Sequence, residues 1–398
     1  MADNTMMNIS SNAGASLASS ADMSGLSGNS PLVDYTLRGL AQCWLPEHGR
    51  WSHIYHLDGR LSPNESVPRS DVFYTLNVLL GLSRVAGVPA GLDLSEIFQR
   101  NARLLTSLPV PKYAFGMALW SAAELGFELP EAVVREVRAL LTDQAAWESF
   151  RAQDLGMLLT GIVTMARAGR DEWLGFAAPL YRFLSARYRG GSDLFFDAPS
   201  GLRRRFSSFA TQIYLSIACY QYGDFTGDSA AIGLANACAR KLIALQGPQG
   251  EWPWFYDAVS GRVVDFYEVY SVHQYGMAPA LLEWAERYDV PGARDALVLG
   301  FHWVLGQNQL KRSMLVPERS LSIRSQVRKN ELTTKRRRVL RAVANACLGR
   351  SSDLIDSSTV DLRLECRSYE LGWILWSFGQ RADLPQLTGH EDFRASQG

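Results

Sequence analysis

Six segments of this chain are apolar on almost every helical face, and that constrains its fold more than any other feature. They run from Ser70 to Gly87, Lys112 to Gly126, Ala152 to Gly169, Phe209 to Gly223, Val269 to Glu286 and Arg367 to Gln380. A helix without a polar face has to be enclosed on all sides. Between these segments lie helices with ordinary polar faces, at Asp34 to Leu45, Leu94 to Leu108, Glu131 to Asp143, Ala178 to Arg189, Ala230 to Gln246 and Ala293 to Gln307. A polar face belongs at a surface. Six enclosed helices alternating with six surface helices predict an inner ring encircled by an outer one, in an all-α protein with almost no strand signal. The repeat is loose, roughly forty to sixty residues long. An irregular bundle and an open solenoid of helix pairs are the competing arrangements.

A length of 398 residues suits two ordinary domains or one large closed one, and the ring needs the second. With 47% hydrophobic and 20% charged residues, the chain can fill such a core. The reading is a leader at 1–30, a single ring domain at 31–384 carrying a basic insertion at 311–350, and a flexible tail at 385–398. Residues 1–30 are rich in Ser, Asn, Gly and Met, without the basic start and apolar run of a signal peptide. The five cysteines show no metal-ligand spacing and sit in apolar helical patterns, as in a reducing compartment. No window is apolar for long enough to span a bilayer. A cytoplasmic protein is expected.

Formal net charge is zero, yet residues 311–350 hold twelve Lys/Arg against two Glu. That segment includes KRRRVLRAVANACLGR, a cationic helix suited to an anionic partner or a membrane surface. It lacks the interleaved aromatics of a single-strand binder, so nucleic acid is an unlikely partner.

Chemistry concentrates between Gln246 and Arg287. Tyr270, His273 and Gln274 share one helix face by their spacing, with Tyr267 and Glu268 just upstream. His273 and Tyr270 suit proton transfer, and Glu268 can assist them. Pro279 frees the carbonyl of Tyr275 and is expected to break the helix there. The preceding loop offers Glu251, Trp252, Trp254, Tyr256 and Asp257, with aromatic faces for sugar rings. It also offers two acids for a mechanism that needs carboxylates about 5 to 10 Å apart. Arg205 and Gln212 mark the fourth inner helix, and Arg367, Tyr369 and Glu370 the sixth. The two arginines have the fork that grips a carboxylate. No cofactor motif and no metal-ligand set are expected.

Helical hairpins joined by connections rich in Trp, Gly and Tyr resemble the (α/α)6 toroid of the six-hairpin glycosidase superfamily. The resemblance covers about residues 32–310 and 360–380, and implies a hydrolase, polysaccharide lyase or sugar epimerase with its site at the mouth of the inner ring. Gln246, Gly250 and Trp252 also fit Q-x3-G-x-W of terpenoid cyclases, a weaker resemblance because the acidic motifs of those enzymes are missing. The expected function is therefore a carbohydrate-active lyase, epimerase or hydrolase acting on an anionic saccharide in polysaccharide synthesis or modification. A non-catalytic toroid that binds a glycan or lipid-linked precursor and a terpenoid cyclase are the alternatives.

Overall fold

Helix starts follow the local chemistry. Ser30 caps the first helix through the Val33 amide with Pro31 in its first turn, Asp93 caps the third and Ser208 the ninth. Gly126 and Gly227 close two helices in the left-handed conformation. The computed structural model describes residues 28–87, 91–329, 335–352 and 357–394.

In chain order the helices are α1 (Pro31–Cys43), α2 (Pro68–Leu82), α3 (Leu94–Leu104), α4 (Tyr113–Leu125) and α5 (Glu131–Thr142). There follow α6 (Ala152–Arg167), α7 (Leu174–Arg187), a short α8 (Leu202–Arg205), α9 (Phe209–Thr226) and α10 (Ser229–Leu245). The last five are α11 (Ala278–Arg287), α12 (Ala293–Val304), α13 (Lys335–Cys347), α14 (Ser368–Phe378) and α15 (Pro385–Thr388). Helices α2, α4, α6, α9, α11 and α14 touch one another in that order, and α14 returns to α2 to close the ring. Outside it α1 packs on α14, α3 on α2, α7 on α6, α10 on α9 and α12 on α11, while α5 lies between α3 and α7. This is the (α/α)6 toroid, with every inner and outer helix where the periodicity puts one.

Glycine sets how tightly the inner ring closes. A Cβ on Gly116 of α4 would collide with the Met157 and Leu158 backbone of α6, and one on Gly372 of α14 with the backbone of Asn77 on α2. Only a residue without a side chain lets these axes approach so closely.

Three features depart from the sequence reading. Short antiparallel ladders form at the N-terminal ends of the inner helices, where long connections cross and must pair their backbone. Phe206–Ser208, Phe255–Asp257 and Arg262–Asp265 make one ladder. Ser325–Arg328 lies between Val269–Tyr270 and Val360–Arg363 in another. Secondly, the basic insertion is woven into these ladders through Ser325–Arg328 as well as carrying the cationic helix, which is α13. Thirdly, the tail expected to be flexible is docked as far as Arg394. Leu387 and Phe393 are buried, Phe393 meets the Tyr35 ring, and its carbonyl accepts from Arg38. Residues 395–398, and 1–27 of the leader, lie outside the described residues.

Substituting Gly116→Ala should cost about 1–3 kcal/mol of stability through overpacking. Gly233→Ala on α10, where a Cβ meets nothing, should be neutral or stabilise by up to about 1 kcal/mol. Urea midpoints of the two variants test this, and equal destabilisation would contradict the close-packed inner ring.

Candidate active site

The N-terminal ends of the inner helices present aromatic rings to one another. Tyr74 of α2 lies 4.6 Å from Tyr369 of α14 and 5.0 Å from His53, and Phe73 lies 4.7 Å from Tyr113 of α4. Phe209 of α9 and Tyr270 flank His273 at 4.6 and 5.0 Å. Tyr74, Tyr113, Tyr270 and Tyr369 are only half-buried, so part of each ring faces outward. The result is an aromatic basin at the mouth of the ring.

Helix α11 is preceded by a π-helical turn at His273–Met277, with Pro279 just beyond it. The break expected from Pro279 is present, and it takes the form of the wide turn often seen at functional sites. Tyr270 ends a strand instead of starting the helix, but it keeps its place beside the π turn. Gln274 donates to the Tyr270 carbonyl at 3.1 Å and accepts from the Trp252 amide at 3.2 Å.

Arginines dominate the electrostatics of the basin. The Glu268 carboxylate is 1% exposed and accepts from Arg338 and Arg363, both at 2.7 Å, from Ser325 at 2.5 Å and from the Tyr270 hydroxyl at 3.1 Å. Burial would raise its pKa, but Arg324, Arg363 and the hydrogen bonds outweigh burial and hold it at about 2. Arg328 grips Asp265 at 2.6 and 3.1 Å. Arg324 bridges Glu370 at 2.8 Å and Glu365 at 3.2 Å, and its guanidinium lies 4.9 Å from the centre of the Tyr270 ring. Arg367 binds Glu365 at 2.8 Å and donates to His53. Among the described residues five arginines face four carboxylates here, a preponderance of positive charge that suits an anionic ligand.

Two groups stay uncharged. His273 is 6% exposed, and its Nδ1 is buried without a partner. Burial above all, then the positive charge of Arg324, push its pKa down to about 3 against a weaker opposing pull from Glu268. It is therefore a neutral imidazole near pH 7 and, in the free protein, a weak base. Tyr270 is shifted upward by burial and by Glu268, so it keeps its proton. Glu370 is shifted upward by burial, with Arg324 and Arg367 acting in the opposite sense, and its Oε2 has no partner.

The other sequence candidates fall into two groups. Trp254 lies 3.8 Å beneath the Arg338 guanidinium, and Tyr267 5.3 Å beneath that of Arg328, so both belong to the rim of the arginine network. Trp252 is buried and stacked on Phe209 at 5.4 Å. The remainder are occupied elsewhere. Arg205 pairs with Asp257 at 2.9 Å and with the Ala346 carbonyl, well separated in its partners from Arg367. Asp257 also accepts from the amides of Val259 and Ser260, which makes it a turn cap. Gln212 clamps the loop at Phe195 through both its amide and its carbonyl. Glu251 accepts from the Gln249 amide, and burial raises its pKa. Tyr256 is wholly buried. Gln246, the first residue of the terpenoid-like motif, donates to the carbonyls of Gly250 and Ala296 and so staples α10 to α12. Sequence reasoning missed His53, Arg324, Arg338 and Arg363. Only the local excess of arginine in 311–350 hinted at the middle two.

No protein-family model matches the chain, and no curated protein does. Solved structures do. A cellobiose 2-epimerase from Bacillus thermoamylovorans superposes with a TM-score of 0.59 at 11% identity, over 86% of this chain and 95% of that one. A glycosyl hydrolase family 88 protein from Bacteroides vulgatus gives 0.55 at 11% identity, over 88% and 97%. An unsaturated glucuronyl hydrolase from a Bacillus species gives 0.52 at 14% identity, over 90% and 96%. The shared fold is the six-hairpin toroid. Among the described residues no helix is long and apolar enough to cross a membrane.

The folded state cannot readily protonate His273, whereas the unfolded chain does so near the ordinary value of 6.5. The unfolded state then binds more protons, and stability falls as pH drops through this window. Compared with His273→Phe, the wild type should lose stability between pH 6.5 and about 4.5, with a slope approaching about 1.4 kcal/mol per pH unit. Parallel urea titrations of the two proteins test this, and identical pH dependence would contradict a neutral buried imidazole.

Proposed function

We propose that this protein is a carbohydrate-active enzyme of the lyase or epimerase type, acting on a saccharide that carries a carboxylate. The observation that supports it most is the half-buried tyrosine basin set against an arginine excess. Aromatic faces receive the apolar faces of sugar rings, and Arg324 and Arg367, held by Glu365 and Glu370, set positive charge beside those rings for an acid group. The six-hairpin neighbours, an epimerase and two hydrolases by name, support a saccharide substrate and leave the type of reaction to the site. A place in polysaccharide synthesis or modification inside the cytoplasm fits the sequence reading, and the saccharide is the proposed partner.

The chemistry begins with a proton on the carbon next to the carboxylate. Neutral His273 accepts it once the substrate's own carboxylate has offset the positive charge of Arg324 that helps keep the free imidazole unprotonated, while Arg324 and Arg367 stabilise the negative charge that develops on the acid group. In elimination the carbon–oxygen bond on the adjacent carbon then breaks, and its oxygen takes the proton of the Tyr270 hydroxyl. In epimerisation the Tyr270 hydroxyl instead gives its proton to the same carbon from the opposite face, and the proton on His273 later restores the tyrosine. Glu268 remains ionised throughout and holds the Tyr270 hydroxyl in place. Hydrolysis by Glu251 and Asp257 is less well supported, because both carboxylates are buried and engaged by other groups.

A second reading has its own support. Asp265, Glu268 and Glu365 are all ion-paired, which suits a toroid that binds an anionic glycan without turning it over. His273→Ala and Tyr270→Phe separate the readings. With uronate oligosaccharides, each should lower kcat by about 10²–10⁴-fold while the fold survives. Formation of unsaturated or epimeric product is followed by ultraviolet absorbance and NMR. Binding without turnover by the wild type would favour the scaffold reading, and full activity in His273→Ala would remove the assigned base.

A further inference from the structure

Helix α13 carries a surface that the sugar chemistry does not use. Its buried edge is the stripe Arg338, Ala342 and Ala346, which meets Val264, Phe206 and Phe255. Three contacts fix its rotation: Asn345 donates to the Val264 carbonyl at 2.9 Å, Arg205 to that of Ala346 at 3.1 Å, and Arg262 to that of Gly349 at 2.5 Å. Arg338 pins its other end through Glu268 and Trp254. The face turned away from the protein is thereby set.

On that face stand Leu340, 68% exposed, and Leu348, 63% exposed, with Ala344 and Cys347 between them at helical spacing. Val339 is 48% exposed beside them. Arg336 and Arg337 flank the stripe, both exposed, and Arg350 follows the helix. From residue 335 to residue 352 the sequence has no Asp or Glu. Large apolar side chains pointing into water, bordered by arginines and by no acid, have the composition of a helix lying in a membrane interface.

We propose that the outer face of α13 docks on an anionic lipid bilayer. The arginines would meet acidic headgroups while Leu340 and Leu348 enter the acyl boundary. A nucleic acid would satisfy the arginines alone and leave the leucines exposed, whereas an anionic bilayer takes both along one helix face, so the bilayer is the favoured occupant. Because Arg338 of the same helix reaches Glu268, docking would hold the mouth of the ring close to the membrane. The surface does not depend on the reaction assigned to that mouth.

Co-sedimentation of the full chain with vesicles tests this. The protein should pellet with phosphatidylcholine–phosphatidylserine vesicles and stay in solution with phosphatidylcholine alone. Arg336→Ala combined with Arg337→Ala should weaken binding by at least about tenfold, since each interfacial charge contributes on the order of fivefold. Leu340→Ser should also weaken it, with unchanged circular dichroism and thermal midpoint in both variants. Absence of binding to the acidic vesicles would overturn the proposal. So would binding that ignores Leu340→Ser and is matched by double-stranded DNA of similar charge density, which would mark a general polyanion surface.

Discussion

The Glu268 carboxylate and the arginines around it govern how the mouth of the ring is built. A carboxylate with almost no exposure cannot remain charged alone, and removing one partner of such a group is costly. Its partners come from distant parts of the chain, with Arg338 on α13, Arg363 on the strand before α14, and Ser325 in the ladder between them. Satisfying one buried charge therefore draws Ser325–Arg328, α13 and Val360–Arg363 across the ends of the inner helices. Tyr270, Arg324 and Glu370 take their positions as a consequence.

The ring beneath depends on a simpler constraint. Helices that are apolar all round must be enclosed, and glycine at positions such as 116 and 372 lets six of them enclose one another. The polar connections then have only the open ends of the ring to occupy. At the N-terminal end they form ladders, and those ladders carry the charged groups. The scaffold is rigid where the proposed sugar-binding basin needs fixed geometry, and the proposed chemistry sits on its rim.

Much of this was legible in the sequence, for reasons particular to each part. Helical periodicity extends over ten or more residues at a time, so all six inner and six outer helices could be read from their apolar pattern. Pro279 announced the break beside His273 because a missing amide acts locally. Strands of two to four residues, such as Val269–Tyr270 and Glu365–Cys366, are too short to show a period. Arg205 and Asp257 looked like site residues but pair with each other, and no local pattern records that. Arg324 lies ninety or more residues from the inner helices α2 to α9, so its arrival beside them is a product of closure, and Arg363 stands only five residues before α14 but in a strand too short to show a period. The tail showed the same limit, since Phe393 is anchored by Tyr35 at the opposite end of the chain.

The charge pattern of the basin carries the functional account. His273 is neutral and Tyr270 protonated, while Arg324 and Arg367 present positive charge beside them, an arrangement that polarises an acid group next to a proton acceptor. The central claim is that the mouth of the ring selects a sugar acid, and calorimetric binding of a uronate oligosaccharide and its carboxyl-reduced counterpart to the same protein tests it most directly. The account predicts that the acid binds at least about tenfold tighter, a difference of about 1.4 kcal/mol, and that Arg367→Ala removes most of that preference. Equal affinity for the acid and the neutral sugar, or a preference that survives in Arg367→Ala, would contradict it.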